Sequence, residues 1–369
     1  MYFFGAPEAA ADRRLPEVAE RVADFILDLQ DAAGAIRDEP GGGVVNEDSN
    51  MEYALMGMAA AYAYSQDPRY LSSLERGIDW LAKRQATGIS AWRGSWFYAY
   101  AKRPPYRPVA ISPGADVEDV RGVDSTGALF VYLLYLHQQA TGSDRLAQRY
   151  AQNARNALDF IIAANRSKDG LFYNAWHKRK QAWKPWKYSY AADQADVYLG
   201  LRAGGLLYDD HARQYGKLAW KLRKKALRTF VKKGLGHYAV GRETDGGLDE
   251  GEGFDVSFAQ TYLPWVFGPA PSNDASYRWF REQAWRSGDT VVLPDGTPTY
   301  SLIAATFELA SQALGQPGNP RFEDWLLTHV IDRDGGVRDT PDRGSEKYSN
   351  VAGFTLLALL KRKAWPSDP

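Results

Sequence analysis

The chain has 369 residues, enough to bury a sizeable core, and its 45 Lys and Arg balance 45 Asp and Glu. That balance leaves no electrostatic footprint for nucleic acid or an anionic membrane, and zero cysteines exclude disulfides, thiolate metal sites and a thiol nucleophile. No run of about 18 apolar residues occurs, and MYFFGAPEAAADRR lacks the basic-then-apolar order of a signal peptide, so the sequence reads as a soluble chain of open compartment.

From Pro16, VAERVADFILDLQ places Val18, Val22, Phe25, Ile26 and Leu29 at helical spacing with charges between them, the pattern of an amphipathic surface helix. After the Gly/Pro-rich GAIRDEPGGGVVNEDSN, the stretch MEYALMGMAAAYAYS from Met51 is apolar nearly all round, which predicts a helix buried on most faces. The same outer-then-inner alternation recurs in DPRYLSSLERGIDWLAKRQ and GVDSTGALFVYLLYL, then in SDRLAQRYAQNARNALDFIIAAN and ADQADVYLGLRAGGLL. HARQYGKLAWKLRKKALRTFVKK precedes FDVSFAQTYLPWVF, SYRWFREQAW precedes TYSLIAATFELASQAL, and NPRFEDWLLTHV precedes YSNVAGFTLLALL. Six such pairs, with the long loops all at one end, predict an all-α, two-layer (α/α)6 toroid spanning 1–369 as a single domain, with no linker inside it. The loop pieces GAIRDEP, DGLFYNAW, GLGHYAVG and DGGVRDTP echo one another after outer helices and suit short strands or hairpins on the rim.

Asp48, Asp124, Asp193 and Asp255 stand at or just before the starts of four inner helices, so in a toroid they converge on one mouth. Glu52 and Asp196 lie one turn inside the first and third inner helices and share a face with Asp48 and Asp193. Each Asp has two readings: an N-cap that accepts a free backbone N–H, or a group that does chemistry. Crowded carboxylates split their pKa values, so that one holds a proton for a leaving oxygen while another stays ionised, as glycosidic cleavage requires. Aromatics make up 13% of the chain, with 12 Trp and 22 Tyr, and many stand beside Gly, Pro and Lys rather than in apolar runs. Trp92, Trp96, Tyr98, Trp176, His177, Trp183, Trp186, Tyr190 and Tyr348 are therefore candidate substrate contacts, flat faces for sugar rings, against the alternative that they pack loops onto the rim.

This arrangement resembles the six-hairpin glycosidase superfamily. Within it, the order VDSTGALF, DGLFYNAWH and a Trp-rich segment is similar to the unsaturated glycuronyl hydrolases. The resemblance implies Asp124 as acid/base and places Gly170, Leu171, Phe172, Tyr173 and Trp176 in the family's loop. Asn174 and Ala175 stand where that family has His-Gly, and no Trp-Ala-Arg-Gly precedes Ala191. NMEYALMGM resembles the acid-bearing inner helix of endoglucanase-type toroids, which implies Glu52 as the acid. The implied function is a glycoside hydrolase acting on an oligo- or polysaccharide, without metal or cofactor.

Three other readings stay open. DVEDVRGVDSTG, with Asp116, Glu118 and Asp119, and VADFILDLQDAAGAI are similar to terpene-cyclase motifs, although the acid run reads as an exposed loop. A polysaccharide lyase or sugar epimerase on the same scaffold would use His177 with Lys178, Arg179, Tyr188 and Tyr190. A carbohydrate-binding protein without catalysis would keep the aromatics alone. His137, His177, His211, His237 and His329 show no metal-ligand spacing, Gly41 opens no phosphate loop, and LDEGEGFD lacks the ligand order of a calcium hand.

Overall fold

The computed structural model describes residues 14–88, 90–110, 119–231, 236–251, 253–284, 299–361 and 364. Helix accounts for 57% of the described residues. The inner helices are α2 (Asn50–Ser65), α4 (Asp124–Thr141), α7 (Ala191–Leu207), α9 (Gly253–Phe267), α11 (Ser301–Leu314) and α13 (Ser349–Leu359). Each packs on the next in that order, and α13 returns to α2, so the ring closes. Around it stand α1 (Glu17–Leu29), α3 (Pro68–Arg84), α5 (Arg145–Arg149), α6 (Ala151–Phe160), α8 (Ala212–Thr229), α10 (Pro271–Ala284) and α12 (Phe322–Trp325). α1 leans on α2 and α13, α3 on α2 and α4, α6 on α4 and α7, and α10 on α9 and α11. The predicted twelve-helix alternation is what forms, with one difference in the third hairpin. There the outer helix breaks at Tyr150 (φ −105°, ψ 18°), whose ring packs on Phe130 and whose hydroxyl donates to Asp79.

Sequence explains the layers. Outer helices are apolar along one stripe, as in α1, where Val18, Val22, Phe25, Ile26 and Leu29 are buried and the acids face out. α3 starts where Asp67 caps the Arg69 N–H and Pro68 supplies a preset first-turn φ. Inner helices touch neighbours on all sides and must approach closely, which small residues allow. A Cβ added to Gly353 would stand 2.2 Å from the Tyr53 carbonyl oxygen, and one added to Gly200 would stand 2.5 Å from Ala128 Cα.

The echoing rim loops fold alike. Bridges Gln30↔Ile36, Arg166↔Phe172, Val231↔Tyr238 and Ile331↔Val337 recur after four outer helices. In three of them a glycine (Gly34, Gly170, Gly335) turns at φ 80–99° and donates back three residues to Asp31, Ser167 or Asp332. Two loops are pinned by a glutamine inside the following inner helix. Gln194 accepts from the Phe172 N–H at 2.8 Å and donates to its carbonyl at 3.0 Å, and Gln260 treats Tyr238 the same way, at 2.8 and 2.9 Å. Buried loop backbone thus finds partners that a sheet would otherwise supply. Short strands complete the rim: β1 (Val44–Val45) with β2 (Tyr100–Ala101), β3 (Asp119–Arg121) with β4 (Ala175–Arg179) and β5 (Ala182–Trp186), and β6 (Ser189–Tyr190) with β7 (Gly241–Arg242) and β8 (Leu248–Asp249). All pairings are antiparallel.

The contact between α2 and α13 gives a test of the ring. Gly353→Ala forces a methyl against Tyr53 backbone and is expected to cost about 1–3 kcal/mol, the usual penalty of overpacking a filled core. Denaturant unfolding measures it, and an unchanged midpoint would show that the two helices are not held at this distance.

Candidate active site

Asp48, Glu52, Asp124, Asp193, Asp196 and Asp255 come from the starts of four inner helices or the turn before one, and mutual repulsion links them. Asp193 feels Asp48, Asp196 and Asp255, while Asp124 feels Asp193, Asp196 and Asp48. The N-cap positions of α2, α4 and α7 are Ser49, Val123 and Tyr190, none of which caps through its side chain, so Glu52, Asp124 and Asp193 are not N-cap residues. Asp124 Oδ1 accepts from the adjacent Ser125 N–H at 3.0 Å, and its Oδ2 is buried with no hydrogen-bond partner among the described residues.

Asp48 sits in the turn Glu47–Ser49 ahead of α2 in a left-handed conformation (φ 48°, ψ 46°), between Asn46 at φ 57° and Ser49 at φ 70°. Three non-glycine residues in that region carry strain, which persists only where the surroundings over-determine it. Here the buried Asp38 carboxylate does so, accepting from the Asn46 N–H at 2.8 Å, the Glu47 N–H at 2.9 Å and Asn50 Nδ2 at 3.3 Å. The Asp48 N–H donates to the Tyr98 carbonyl at 3.2 Å, and Asn46 accepts from the Met51 N–H and donates to Glu52 at 3.3 Å. Ser49 Oγ lies 2.9 Å from both Ser125 Oγ and Thr126 Oγ1, tying this turn to the start of α4.

The acids fall into two tiers. Asp48 and Asp255 are solvent-accessible and Asp193 is half-buried, whereas Glu52, Asp124 and Asp196 are at most 1% exposed. Asp124, the acid/base implied by the glycuronyl hydrolase resemblance, is fully buried, and Asp193 is its strongest charged neighbour. Asp48 reaches solvent, yet the protein crowded around its carboxyl still desolvates it and, with a push from Glu47, raises it to about 6. Burial takes Asp196 to about 7, although Tyr262 and Tyr53 donate to it at 2.5 and 2.8 Å. Burial takes Glu52 to about 8. Asp193 is held well above the carboxylate range by burial and then by Asp48, and Asp124 by burial and then by Asp193. Asp255 is raised less, by burial and then by Asp249, so protons leave Asp255 and Asp48 before the deeper acids, and each charge formed helps those neighbours to keep theirs. Among the described residues no three His, Asp or Glu side chains are grouped to hold a metal ion.

The aromatics divide by strand face. On β4 and β5, Trp176 pairs with Pro185 and Lys178 with Trp183, so Trp176 and Trp183 share one face, where Trp92 packs edge-on against both at 5.7 and 4.9 Å. Arg121 lies 4.3 Å above the Trp92 ring, and Phe160 at the end of α6 closes the cluster. These three tryptophans fasten the rim sheet to the outer layer. Trp96 is 2% exposed and donates to the Leu81 carbonyl at 2.8 Å, a core residue rather than a platform. The opposite face carries His177 and Trp186, their rings 5.8 Å apart, and Trp186 and Tyr98 pack on Val120, Val123 and Ala175. Tyr98 feels Asp48 and Asp193, and Tyr190 feels Asp193, Asp255 and Asp48. Tyr98 and Tyr190 are thus the expected contacts that border the acids, while Trp186 and His177 stand on the open face of the rim sheet. Tyr348 donates to Glu346 and has Glu346, Glu39 and Asp339 as its charged neighbours, so the structure does not bring it into this group. Of the acid run before α4, Asp116 and Glu118 lie outside the described residues, and Asp119 pairs with Lys178 in the rim sheet. Tyr53, Tyr262 and Asn46, which hold the buried acids, carried no signal in the sequence beyond being polar groups on apolar inner helices or in a loop.

No family model matches the chain, and no curated protein matches it in sequence. Solved structures do match in shape. A glycosidase variant in complex with glucose superposes over 93% of this chain and 95% of its own, with a TM-score of 0.66 at 14% identity. This chain has the six-hairpin toroid fold. A D-mannose isomerase covers the same shares with a TM-score of 0.68 at 13% identity. A GH76 α-mannanase from Bacteroides thetaiotaomicron matches over 93% of both chains, with a TM-score of 0.64 at 11% identity. The toroid is thus common to sugar enzymes of more than one chemistry. No helix of the described residues is long and apolar enough to cross a membrane.

The raised carboxyl groups fix a sign for stability against pH. A carboxyl whose folded pKa exceeds its unfolded value binds more protons when folded. Its contribution is complete below the ordinary carboxylate range and is lost as pH rises through the folded value. With Asp48 at about 6, Asp38 and Asp196 at about 7 and Glu52 at about 8, the melting temperature is expected to fall as pH rises through that range. Glu52→Gln should remove the upper part of this fall, and a melting temperature flat in pH would contradict the tiered arrangement.

Proposed function

We propose that the protein is a glycoside hydrolase in which Asp193 is the general acid and Asp48 the ionised partner. The observation that carries this reading is the graded set of carboxyl groups in the mouth, in which the accessible Asp48 ionises before Asp193 and its charge helps to keep the proton there. Separated pKa values in neighbouring carboxyls are what assign acid and base roles. Asp193 would protonate the glycosidic oxygen as the bond to the anomeric carbon breaks. Asp48, delivered from the other side of α4, would act on the anomeric carbon or on the water that attacks it. The buried Asp124 and Asp196 act as positioning groups whose charge state tunes Asp193. Tyr98, Tyr190 and Trp186 supply ring faces beside the acids, and an oligo- or polysaccharide is the substrate they suit. The structural likeness to glycosidases supports the class of chemistry.

A lyase or epimerase needs a base that abstracts a carbon-bound proton. Burial and nearby acids push Tyr190 up to about 12 and Tyr98 higher, so phenolate is scarce at neutral pH, while the carboxyl groups exchange protons there. This favours hydrolysis. The test is a screen of manno-, xylo- and gluco-oligosaccharides for reducing-end release, with ultraviolet absorbance reporting elimination and free mannose reporting isomerisation. On the substrate found, Asp193→Asn and Asp48→Asn should each lose roughly 10²–10⁴-fold in turnover with unchanged folding. Asp124→Asn should shift the pH profile more than it lowers the maximum. Full activity in both of the first two variants overturns the assignment, and new absorbance or ketose formation replaces hydrolysis with the rival reaction.

A further inference from the structure

Strand register sorts the sequence WHKRKQAWKPWK into two unlike faces. Pairing of His177 with Lys184 and of Arg179 with Ala182, with Ala175 opposite Trp186, puts His177, Arg179, Lys184 and Trp186 on one side of the hairpin. That side lines a groove of about 730 Å³ together with Lys187 and Tyr188, and Glu243 is the acidic residue facing it. His177 is 9% exposed, its Nδ1 is buried with no hydrogen-bond partner among the described residues, and burial followed by Arg179 and Lys184 lowers its pKa, so it is a neutral donor or acceptor at the floor. The wall runs on toward the acids, because the Tyr188 and Tyr190 rings stand 4.3 Å apart and Tyr190 neighbours Asp193 and Asp255. Tyr188 itself is fixed by donating to Asp249 at 2.6 Å.

We infer that this groove is a subsite for a negatively charged sugar unit, one bearing a carboxylate or a sulfate, held by Arg179, Lys184 and Lys187 while Trp186 stacks on its ring. The inference rests on the saccharide reading above and specifies it. The charges are unevenly divided: Arg179, Lys184 and Lys187 outnumber Glu243 in the groove, and carboxyl groups line the mouth. An anionic unit is therefore attracted to the groove and repelled from the mouth, which sets the direction in which a chain lies and puts a neutral unit over Asp193 and Asp48. Arg offers a planar two-pronged contact to a carboxylate or sulfate, and the two lysines add point charges screened by salt.

Calorimetric titration of the full chain with trigalacturonate, a chondroitin sulfate tetrasaccharide and mannotetraose tests this without relying on turnover. The charged ligands should bind at least about tenfold tighter than mannotetraose at low salt, the sum expected of three exposed ion pairs, and the difference should shrink as salt rises. Preference for trigalacturonate alone assigns the subsite to carboxylates, and preference for the sulfated ligand assigns it to sulfate. An Arg179→Ala, Lys184→Ala, Lys187→Ala triple variant, checked for an unchanged circular dichroism spectrum, should lose the preference. Asp193→Asn should keep it, so loss of turnover and loss of charge selection separate the two readings. Equal binding of charged and neutral ligands, absence of binding by both charged ligands, or a triple variant that keeps the preference overturns the inference.

Discussion

The distance between inner helices is the constraint from which the rest follows. α2 meets α13 through Gly57 and Gly353, and α7 meets α4 through Gly200 and Ala128, so backbones approach where any side chain would hold them apart. A ring built this tightly has a narrow bore. The acids at the mouth-side ends of its helices are therefore brought near one another, and Glu52, Asp124 and Asp196 are closed off from bulk water. Desolvation is accordingly the largest cause of the shift in Asp48, Glu52, Asp124, Asp193 and Asp196, and mutual repulsion adds to it. Helix packing and acid chemistry are two consequences of one dimension.

Buried carboxyl groups are costly to a fold, and the protein limits the cost in two ways. Asp38 and Asp196 are wrapped in hydrogen bonds, the first by loop N–H groups and the second by two tyrosines on facing helices. Glu52 and Asp124 each leave one oxygen unpartnered among the described residues, a state that suits a protonated acid better than an anion. The strained turn at Asp48 belongs to the same design. Asp38 stabilises a backbone that the sequence would not adopt unaided, and the result places an accessible carboxylate on the lip of a mouth in which Glu52, Asp124 and Asp196 lie deeper.

The rim shows how a helical toroid gives direction to a ligand site. Its strands are too short to form a core, yet register on β4 and β5 sends Trp176 and Trp183 to the outer layer with Trp92 and sends His177, Arg179, Lys184 and Trp186 to the open side. Count only the aromatics and the rim reads as one platform. The two-residue periodicity divides it into an anchor and a surface.

The sequence by itself determined the toroid, because six alternations of one-striped and all-round apolar helices admit few other packings, and it marked the acids, because they stand at the starts of inner helices. It also marked the repeated rim loops, through their glycines. It could not separate Asp48, Asp193 and Asp255 from Asp124, Glu52 and Asp196, since access depends on how far each side chain sits below the lip. It could not assign Trp96 to the core or divide the remaining tryptophans, since HKRKQAWKPW reads as a loop until Lys180 and Gln181 take positive φ values and fold it into a hairpin. Nor could it join Tyr53 and Tyr262 to Asp196, because those contacts span three different helices. Local pattern fixes which helix a residue belongs to. Only the closed ring decides what that residue faces, because burial and repulsion are set by neighbours distant in the chain.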